Sequence, residues 1–172
     1  MALTSAVVEF HGFKDNSNRF VVKELAVVSR YFQTQLIFDA PYSEKFLSAK
    51  MLRTARWVSR HLHFLKWDAP GVPYDEELIR ALCSPFTVIY TKGSEKVKFL
   101  REFHPNVQDI QESYARPSGM QVPCILPQHN GYYSGKCALL SAQHFYNLKF
   151  GSPPVVSRKP VSCNLNFYHG GC

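Results

Sequence analysis

The chain has 172 residues, 45% of them apolar, and a formal net charge of +7. This length fits one domain with a core of its own, and the excess of positive charge favours an anionic partner such as nucleic acid. No apolar run approaches the roughly 20 residues that a membrane span needs, residues 1–10 lack the pattern of a secretory leader, and five cysteines make no disulfide framework. We therefore expect a soluble intracellular protein, cytoplasmic or nuclear.

The first third of the chain predicts three strands in a meander, over residues 6–13, 20–29 and 31–39, with a turn at 14–18. From Ser43, a plausible N-cap, the apolar period changes to that of a helix. Its apolar face is predicted to carry Leu47, Met51, Ala55, Val58, Leu62 and Leu65.

The remainder alternates between helices and strands. Residues 68–73 break the long helix, and a shorter helix is predicted over 74–82. A strand at 86–91, a helix from Gly93, a short strand at 107–110 and a helix at 137–148 follow. Residues 1–150 are therefore predicted to form one α/β domain, a mixed sheet flanked by helices, and residues 151–172 a flexible tail rich in Pro, Ser and Asn.

Cys124, His129 and Cys137 stand in a C-x4-H-x7-C arrangement, and Cys137 opens the last predicted helix. Thiolate and imidazole suit zinc better than magnesium or calcium, and a closed structural zinc site takes four ligands. The spacing thus predicts a zinc-stapled loop that lacks one ligand. The alternative is that two reduced core cysteines and a surface histidine lie close only in sequence.

Two segments resemble the Maelstrom domain, a zinc-binding module of small-RNA pathways with an RNase H-like fold, related to DEDD-type exonucleases. They are the predicted strand at residues 22–28 and the C-x4-H-x7-C motif with its Cys-Ala-Leu helix. The resemblance implies an RNase H-like sheet and makes Glu24 the fourth zinc ligand. The rivals for the fourth ligand are His61 and His63 of the long helix, of which His63 is weighed against Glu24. Glu24 also has an alternative role as an ion-pair partner of Lys23 or Arg19.

DEDD-type exonucleases hold two magnesium ions with acidic residues on the first strand, on the helix after the fourth strand and on the last helix. This chain has Glu9-Phe10-His11 on its first strand, and no carboxylate between residues 137 and 148. We expect the nuclease acids to be lost. Glu9 and His11 share one strand face, where they are either a remnant acid and base or members of an ordinary ion pair.

Two groups of basic residues are candidate nucleic-acid contacts. On the long helix a stripe of basic residues lies opposite the apolar face, and Trp57 is close to it. Trp57 or Tyr31 could stack on a base. The alternative is an ordinary solvated helix face. The predicted contacts of the two groups are Arg53, Arg56, Arg60, Lys92, Lys96 and Lys98.

Together these features predict a catalytically degenerate, zinc-stabilised RNase H-like domain. It would bind RNA, single-stranded nucleic acid or a protein, in the small-RNA or transposon-related setting that the resemblance implies. The alternatives are a single-strand-specific ribonuclease with a non-standard active site, and a pure interaction scaffold using aromatic residues such as Trp57, Tyr132 and Tyr133. Three possible ligands in the tail have no assigned role: Cys163, His169 and Cys172.

Overall fold

The computed structural model describes residues 3–110, 129 and 137–151. Its strands are β1 (Leu3–Lys14), β2 (Phe20–Val28), β3 (Gln33–Ile37), β4 (Phe86–Thr91) and β5 (Val107–Asp109). Its α-helices are α1 (Ala49–Val58), α2 (Glu76–Cys83), α3 (Ser94–Leu100) and α4 (Ala138–Phe150). Each of these elements overlaps one predicted from the sequence.

The strands that the structure describes form one mixed sheet in the order β3-β2-β1-β4-β5. β1, β2 and β3 form the antiparallel meander, whereas β4 and β5 run parallel to β1. The parallel pairs require crossover connections, which here contain α1, α2 and α3. The predicted α/β architecture, a mixed sheet with helices on its faces, is therefore confirmed.

Both faces of the sheet are covered. On one face, side chains of β1 and β2 pack with those of α2 and α3, including Ile79 and Phe99. On the other face, Ala26 and Val28 of β2 pack against Ala142 and Phe145 of α4. Because successive strand residues point to opposite faces, this second set defines which side chains of β1 and β2 point towards α4.

The long helix predicted from Ser43 is interrupted. Residues 44–46 form one 3-10 turn, Leu47 is extended, and α1 begins after Ser48, whose side chain accepts a hydrogen bond from the Met51 amide at 3.3 Å. Ser48 rather than Ser43 is thus the N-cap of the α-helix. Serine at this position satisfies an amide that the first turn cannot pair within the helix.

The end of this helix also differs from the prediction, because Ser59–His63 form a π-helical turn. A π turn contains more residues than an α turn and so changes which side chains face the core. Leu62, predicted on the apolar face, is 47% exposed, whereas His63 is 2% exposed. Leu65, beyond the π turn, is buried as predicted.

A β-bulge separates two parts of β1 and β2. The pairing passes from His11 opposite Glu24 to Gly12 opposite Val22, which leaves Lys23 as the extra residue. The Lys23 ammonium is buried and donates hydrogen bonds to the carbonyl oxygens of Phe38 and Ala69, at 2.6 and 2.5 Å. Burial lowers the pKa of Lys23 to about 8, although nearby carboxylates partly oppose the shift.

Several sequence predictions concern residues outside the described part of the chain. These include Cys124, the two tyrosines at 132 and 133, and the proposed tail with its possible ligands. Cys83 is described, and it lies in the core beside Ile79, where burial raises the pKa of its thiol to about 12. No helix within the described ranges is both long and apolar enough to cross a membrane.

Candidate functional site

Glu24 is a fully buried carboxylate in the middle of β2. It alternates with Ala26 and Val28, so its side chain lies on the face that α4 covers. His11 of β1 is its cross-strand partner, and Ile37 of β3 is its neighbour on the other side. A carboxylate without water needs partners of its own to remain charged.

One oxygen of Glu24 is held by neutral donors. Oε1 accepts hydrogen bonds from Nε2 of Gln35 at 2.6 Å and from the Ala138 amide at 3.0 Å. Ala138 is the first residue of α4, where free amides and the helix dipole favour an anion. Gln35 also lies 3.4 Å from Sγ of Cys137, so one amide side chain touches two candidate ligands.

The other oxygen, Oε2, points at the candidate metal ligands. It lies 3.1 Å from Nε2 of His129, which is an ion-pair distance when the imidazole is protonated. Sγ of Cys137 is 3.7 Å from Oε1 of Glu24. The ligand atoms of Glu24, His129 and Cys137 all lie within 4.8 Å of one another, and all three residues are buried.

These three residues could hold a metal ion, and zinc is the ion that the sequence predicts. Zinc bonds of about 2.0–2.3 Å in a tetrahedron place neighbouring ligand atoms about 3.3–3.8 Å apart. The 3.1 Å between Oε2 of Glu24 and Nε2 of His129 lies close to that range, and Sγ of Cys137 lies 3.7 Å from Oε1, the oxygen that Gln35 and Ala138 hold. The structure thus brings together three of the four residues predicted as ligands, and the fourth, Cys124, lies outside the described residues.

The protonation of His129 reflects the same neighbours. Burial disfavours its charged form, but the side chains of Cys137 and Glu24 outweigh that effect and raise the pKa of His129 to about 9. A metal binds the deprotonated forms of histidine and cysteine, so a proton and a metal compete for these atoms. The raised pKa of His129 and the convergence of the three ligand atoms both favour a positive charge at this point, either a proton on His129 or a bound metal ion.

Both ring nitrogens of His63, the rival fourth ligand, contact main-chain groups. Its Nε2 lies 3.1 Å from the Gly12 carbonyl oxygen, and its Nδ1 accepts a hydrogen bond from the Leu65 amide at 3.1 Å. Its ring lies 5.8 Å from that of His11, between centroids. The alternative partners of Glu24 are also engaged elsewhere, because Arg19 pairs with Glu76 and Glu102, and Lys23 with carbonyl oxygens.

Glu9 is a second buried carboxylate on the same face of the sheet. Its partner across the ladder is Ala26, and it is 2% exposed. Oε1 accepts hydrogen bonds from the Lys92 amide at 2.8 Å and from the Thr91 hydroxyl at 3.2 Å, and Oε2 lies 2.6 Å from Nζ of Lys96. Of the two roles considered for Glu9, the structure shows the ion pair, on a central strand.

The loop before α3 sets this ion pair. Gly93 has a φ of 108°, a backbone conformation that residues other than glycine rarely adopt. Its amide donates a hydrogen bond to Oδ1 of Asp109 at 2.9 Å. This turn starts α3 and places Lys96 within reach of β1. The Lys96 side chain is 12% exposed, so most of its surface is in protein contact.

The basic residues predicted to contact nucleic acid have different surroundings. Arg53, Arg56 and Arg60 are exposed, and Trp57 beside them stacks on His61 with ring centroids 5.0 Å apart. Lys98 is also exposed. Lys92 and Lys96 are partly buried; Nζ of Lys92 lies 3.3 Å from the Ile110 carbonyl oxygen, and Lys96 pairs with Glu9.

Two contributions to these sites were missed from the sequence. From the sequence, Gln35 is one residue of a predicted strand, and Lys96 is a candidate nucleic-acid contact rather than a partner of Glu9. Both contacts join residues far apart in sequence, Gln35 to Cys137 and Lys96 to Glu9. The alternation along β1 and β3 indicates which face each residue occupies, but which helix residue reaches that face depends on how the crossover packs.

Comparisons with known proteins locate the fold. No model of a known protein family matches the sequence, and no significant similarity to a curated protein is found. The structure is similar to a Mopeia virus exonuclease domain partially complexed with manganese, with a TM-score of 0.58 over 99% of this chain and 89% of that chain. The two sequences are 16% identical. The chain therefore has the RNase H-like α/β fold of an exonuclease domain.

Proposed function

We propose that this protein is a catalytically degenerate, zinc-stabilised domain that binds RNA or single-stranded nucleic acid. The observation that carries this proposal is that the carboxylate of Glu9 is already bound by other groups of the chain, through an ion pair and hydrogen bonds. A two-metal nuclease needs carboxylates that are free to bind divalent cations. Here the buried carboxylate of β1 is paired with Lys96 at 2.6 Å and also accepts a main-chain amide.

The sequence around this position supports the same proposal. His11, two residues after Glu9 on the same face, is not an acid, and α4 contains no aspartate or glutamate. Ser141 is the buried polar side chain of α4 on the side that packs into the domain. The ammonium group of Lys96 supplies the positive charge that a metal ion supplies in a two-metal nuclease. It cannot activate a water molecule as a bound metal does.

Zinc in this proposal has a structural role. Glu24, His129 and Cys137 would bind it, with Cys124 as the fourth ligand, and Gln35 would orient Glu24 and Cys137 from outside the ligand set. The exonuclease domain with the similar fold is complexed with manganese. A thiolate-containing ligand set favours zinc over manganese.

Elemental analysis of the purified protein tests the metal. We expect one zinc per chain, lost in the variants Glu24→Gln, Cys124→Ser, His129→Ala and Cys137→Ser. The variant His63→Ala should keep its zinc, because both ring nitrogens of His63 contact the backbone. A wild-type protein without zinc, or zinc lost only with His63→Ala, would contradict the proposed ligand set.

The nucleic-acid partner is supported by the net charge of +7 and by the exposed arginines of α1 beside the Trp57–His61 ring pair. Cations bind phosphates, and exposed rings stack on bases without sequence preference. The test is fluorescence anisotropy with single-stranded RNA and DNA at low salt. No binding at low salt would favour a protein-interaction scaffold instead.

A cleavage assay separates this proposal from an unusual ribonuclease. We expect single-stranded RNA to remain intact in the presence of magnesium or manganese. Cleavage by the wild type that survives chelation, and that is lost on replacing surface basic or histidine residues, would establish a non-standard active site and overturn the degenerate assignment.

A further inference from the structure

A small basic pocket lies where α1 passes into the π turn. Its volume is about 290 Å³. It is lined by the side of α1 that carries Arg56, by the π turn, and by the segment that follows it. The lining residues are Glu44, Ala55, Arg56, Ser59, Arg60, Lys66, Trp67 and Asp68.

The charges in this pocket are unequally satisfied. Arg56 is ion-paired with Glu44 at 3.2 Å. Asp68, the second carboxylate of the lining, is exposed and forms no ion pair within the described residues, so the lining has three cations and two carboxylates. Arg60 and Lys66 form no ion pair with any carboxylate in the described part of the chain. Two exposed cations and the Ser59 hydroxyl are therefore left to bind an anion.

The size of the pocket limits that anion. Pockets that bury a drug-sized ligand hold about 300–1,000 Å³, so 290 Å³ lies at the lower end of that range and has room for a phosphate group and part of the nucleotide that carries it. A phosphate monoester has one ester bond, three other oxygens and a charge of about −1.5 to −2 at neutral pH. An internal phosphodiester has ester bonds on both sides and one negative charge, so it lies along a surface more readily than it enters a pocket.

We infer that this pocket binds the terminal phosphate of a single nucleic-acid strand. The inference rests on the proposed function and specifies where one end of the strand sits. Arg60 and Lys66 would hold the phosphate oxygens, and Ser59 would donate its hydroxyl. The Trp57–His61 ring pair is on the same helical segment, with Trp57 next in sequence to Arg56, and would stack on a base near that end.

The test compares three single-stranded RNAs of one sequence, with a 5′-phosphate, a 3′-phosphate or hydroxyls at both ends. Anisotropy is measured on the full 172-residue chain. We expect one of the two phosphorylated strands to bind about tenfold more tightly than the hydroxyl strand, because hydrogen bonds to charged groups contribute on this scale. The preference should disappear in Lys66→Gln and in Arg60→Gln.

Lys50→Gln is the matched control, because Lys50 is an exposed cation in the first turn of α1 that does not line the pocket. It should keep the preference. If all three strands bind equally, or if the preference persists in both pocket variants, the inference is wrong while the proposed function stands. If none of the strands binds at low salt, both fail.

Discussion

Glu9 and Glu24 are two buried carboxylates on one face of neighbouring strands, yet they are neutralised differently. Glu9 pairs with the ammonium of Lys96, and both of its oxygens have donors. Glu24 has one oxygen held by Gln35 and Ala138, while the other lies 3.1 Å from Nε2 of His129. The first site is complete with the groups that the chain supplies, whereas in the second three residues that could hold a metal ion converge.

The difference follows from what each crossover brings to the sheet. The short turn at Gly93 places a lysine of α3 against β1. The chain that leads into α4 brings a histidine and a cysteine to β2. A buried carboxylate is tolerated in either setting because each supplies a compensating positive charge, an ammonium in one and, in our proposal, zinc in the other.

The largest expected effect is that of removing the metal. Treatment with a chelator should lower the free energy of unfolding by several kcal/mol, with about 10 kcal/mol, the value for small zinc modules, as an upper bound. For a chain of this length several kcal/mol corresponds to a fall in Tm of roughly 10–20 °C, measurable by calorimetry.

Variants at the two carboxylates sharpen that result. The variant Glu24→Gln should be insensitive to the chelator because it no longer binds zinc, whereas Glu9→Gln should respond as the wild type does. An equal response of both variants would mean that the two sites do not differ in the way the structure indicates.

The next largest effect is expected at the other carboxylate. The variant Lys96→Met leaves Glu9 buried without its cation, and we expect a loss of about 3–5 kcal/mol in the free energy of unfolding, measured by urea denaturation. The exposed neighbour Lys98 offers a matched control, and Lys98→Met should change stability by less than about 1 kcal/mol.

A double variant isolates the ion pair. Adding Glu9→Gln to Lys96→Met removes the uncompensated charge, so part of the lost stability should return. If the two single variants and the double variant are simply additive, Glu9 and Lys96 do not act as a pair.

Lys23 extends the comparison to a buried cation whose direct hydrogen-bond partners are carbonyl oxygens. Its pKa is about 8 in the folded protein, against 10.5 for an unperturbed lysine, so the unfolded chain binds the proton more tightly. Between about pH 8 and pH 10.5 the unfolded state therefore carries more protons, and the Lys23 contribution to stability rises with pH, by up to about 3 kcal/mol.

Other groups titrate in the same range with the opposite sign, because Cys83 and Tyr74 both have pKa values raised to about 12 by burial. The measurement is therefore the difference in the free energy of unfolding between wild type and Lys23→Met, determined by urea denaturation at several pH values from 7 to 10. The wild type should gain stability relative to the variant as the pH rises. A constant difference would show that Lys23 keeps an ordinary pKa.

The smallest effect concerns the surface of α1. If both buried carboxylates are structural, nucleic acid binds elsewhere, and Arg53→Gln should weaken single-strand affinity about two- to threefold and reduce the slope of log affinity against log salt by about 0.7. Lys50→Gln serves again as the control. An unchanged slope in Arg53→Gln would exclude Arg53 as a phosphate contact.

The sequence was informative where a pattern is local. The valine-rich alternation of β2, the turn before it and the helical period of residues 74–82 predict elements that the structure contains. It was misleading within residues 43–65, because a 100° period assumes an unbroken α-helix. The extended Leu47 and the π turn change the phase, which is why His63 is buried where Leu62 was expected.

The sequence by itself determined the order of the elements and the mixed α/β class, and through the resemblance it predicted a set of ligands that includes Glu24, His129 and Cys137. Only the tertiary structure decided that these three lie within 4.8 Å of one another and that Lys96 neutralises Glu9. Local propensity and alternation depend on near neighbours along the chain. The pairing of buried charges depends instead on how crossovers pack on the sheet. This packing brings Glu24 to Cys137, 113 positions away in sequence, and Glu9 to Lys96, 87 positions away.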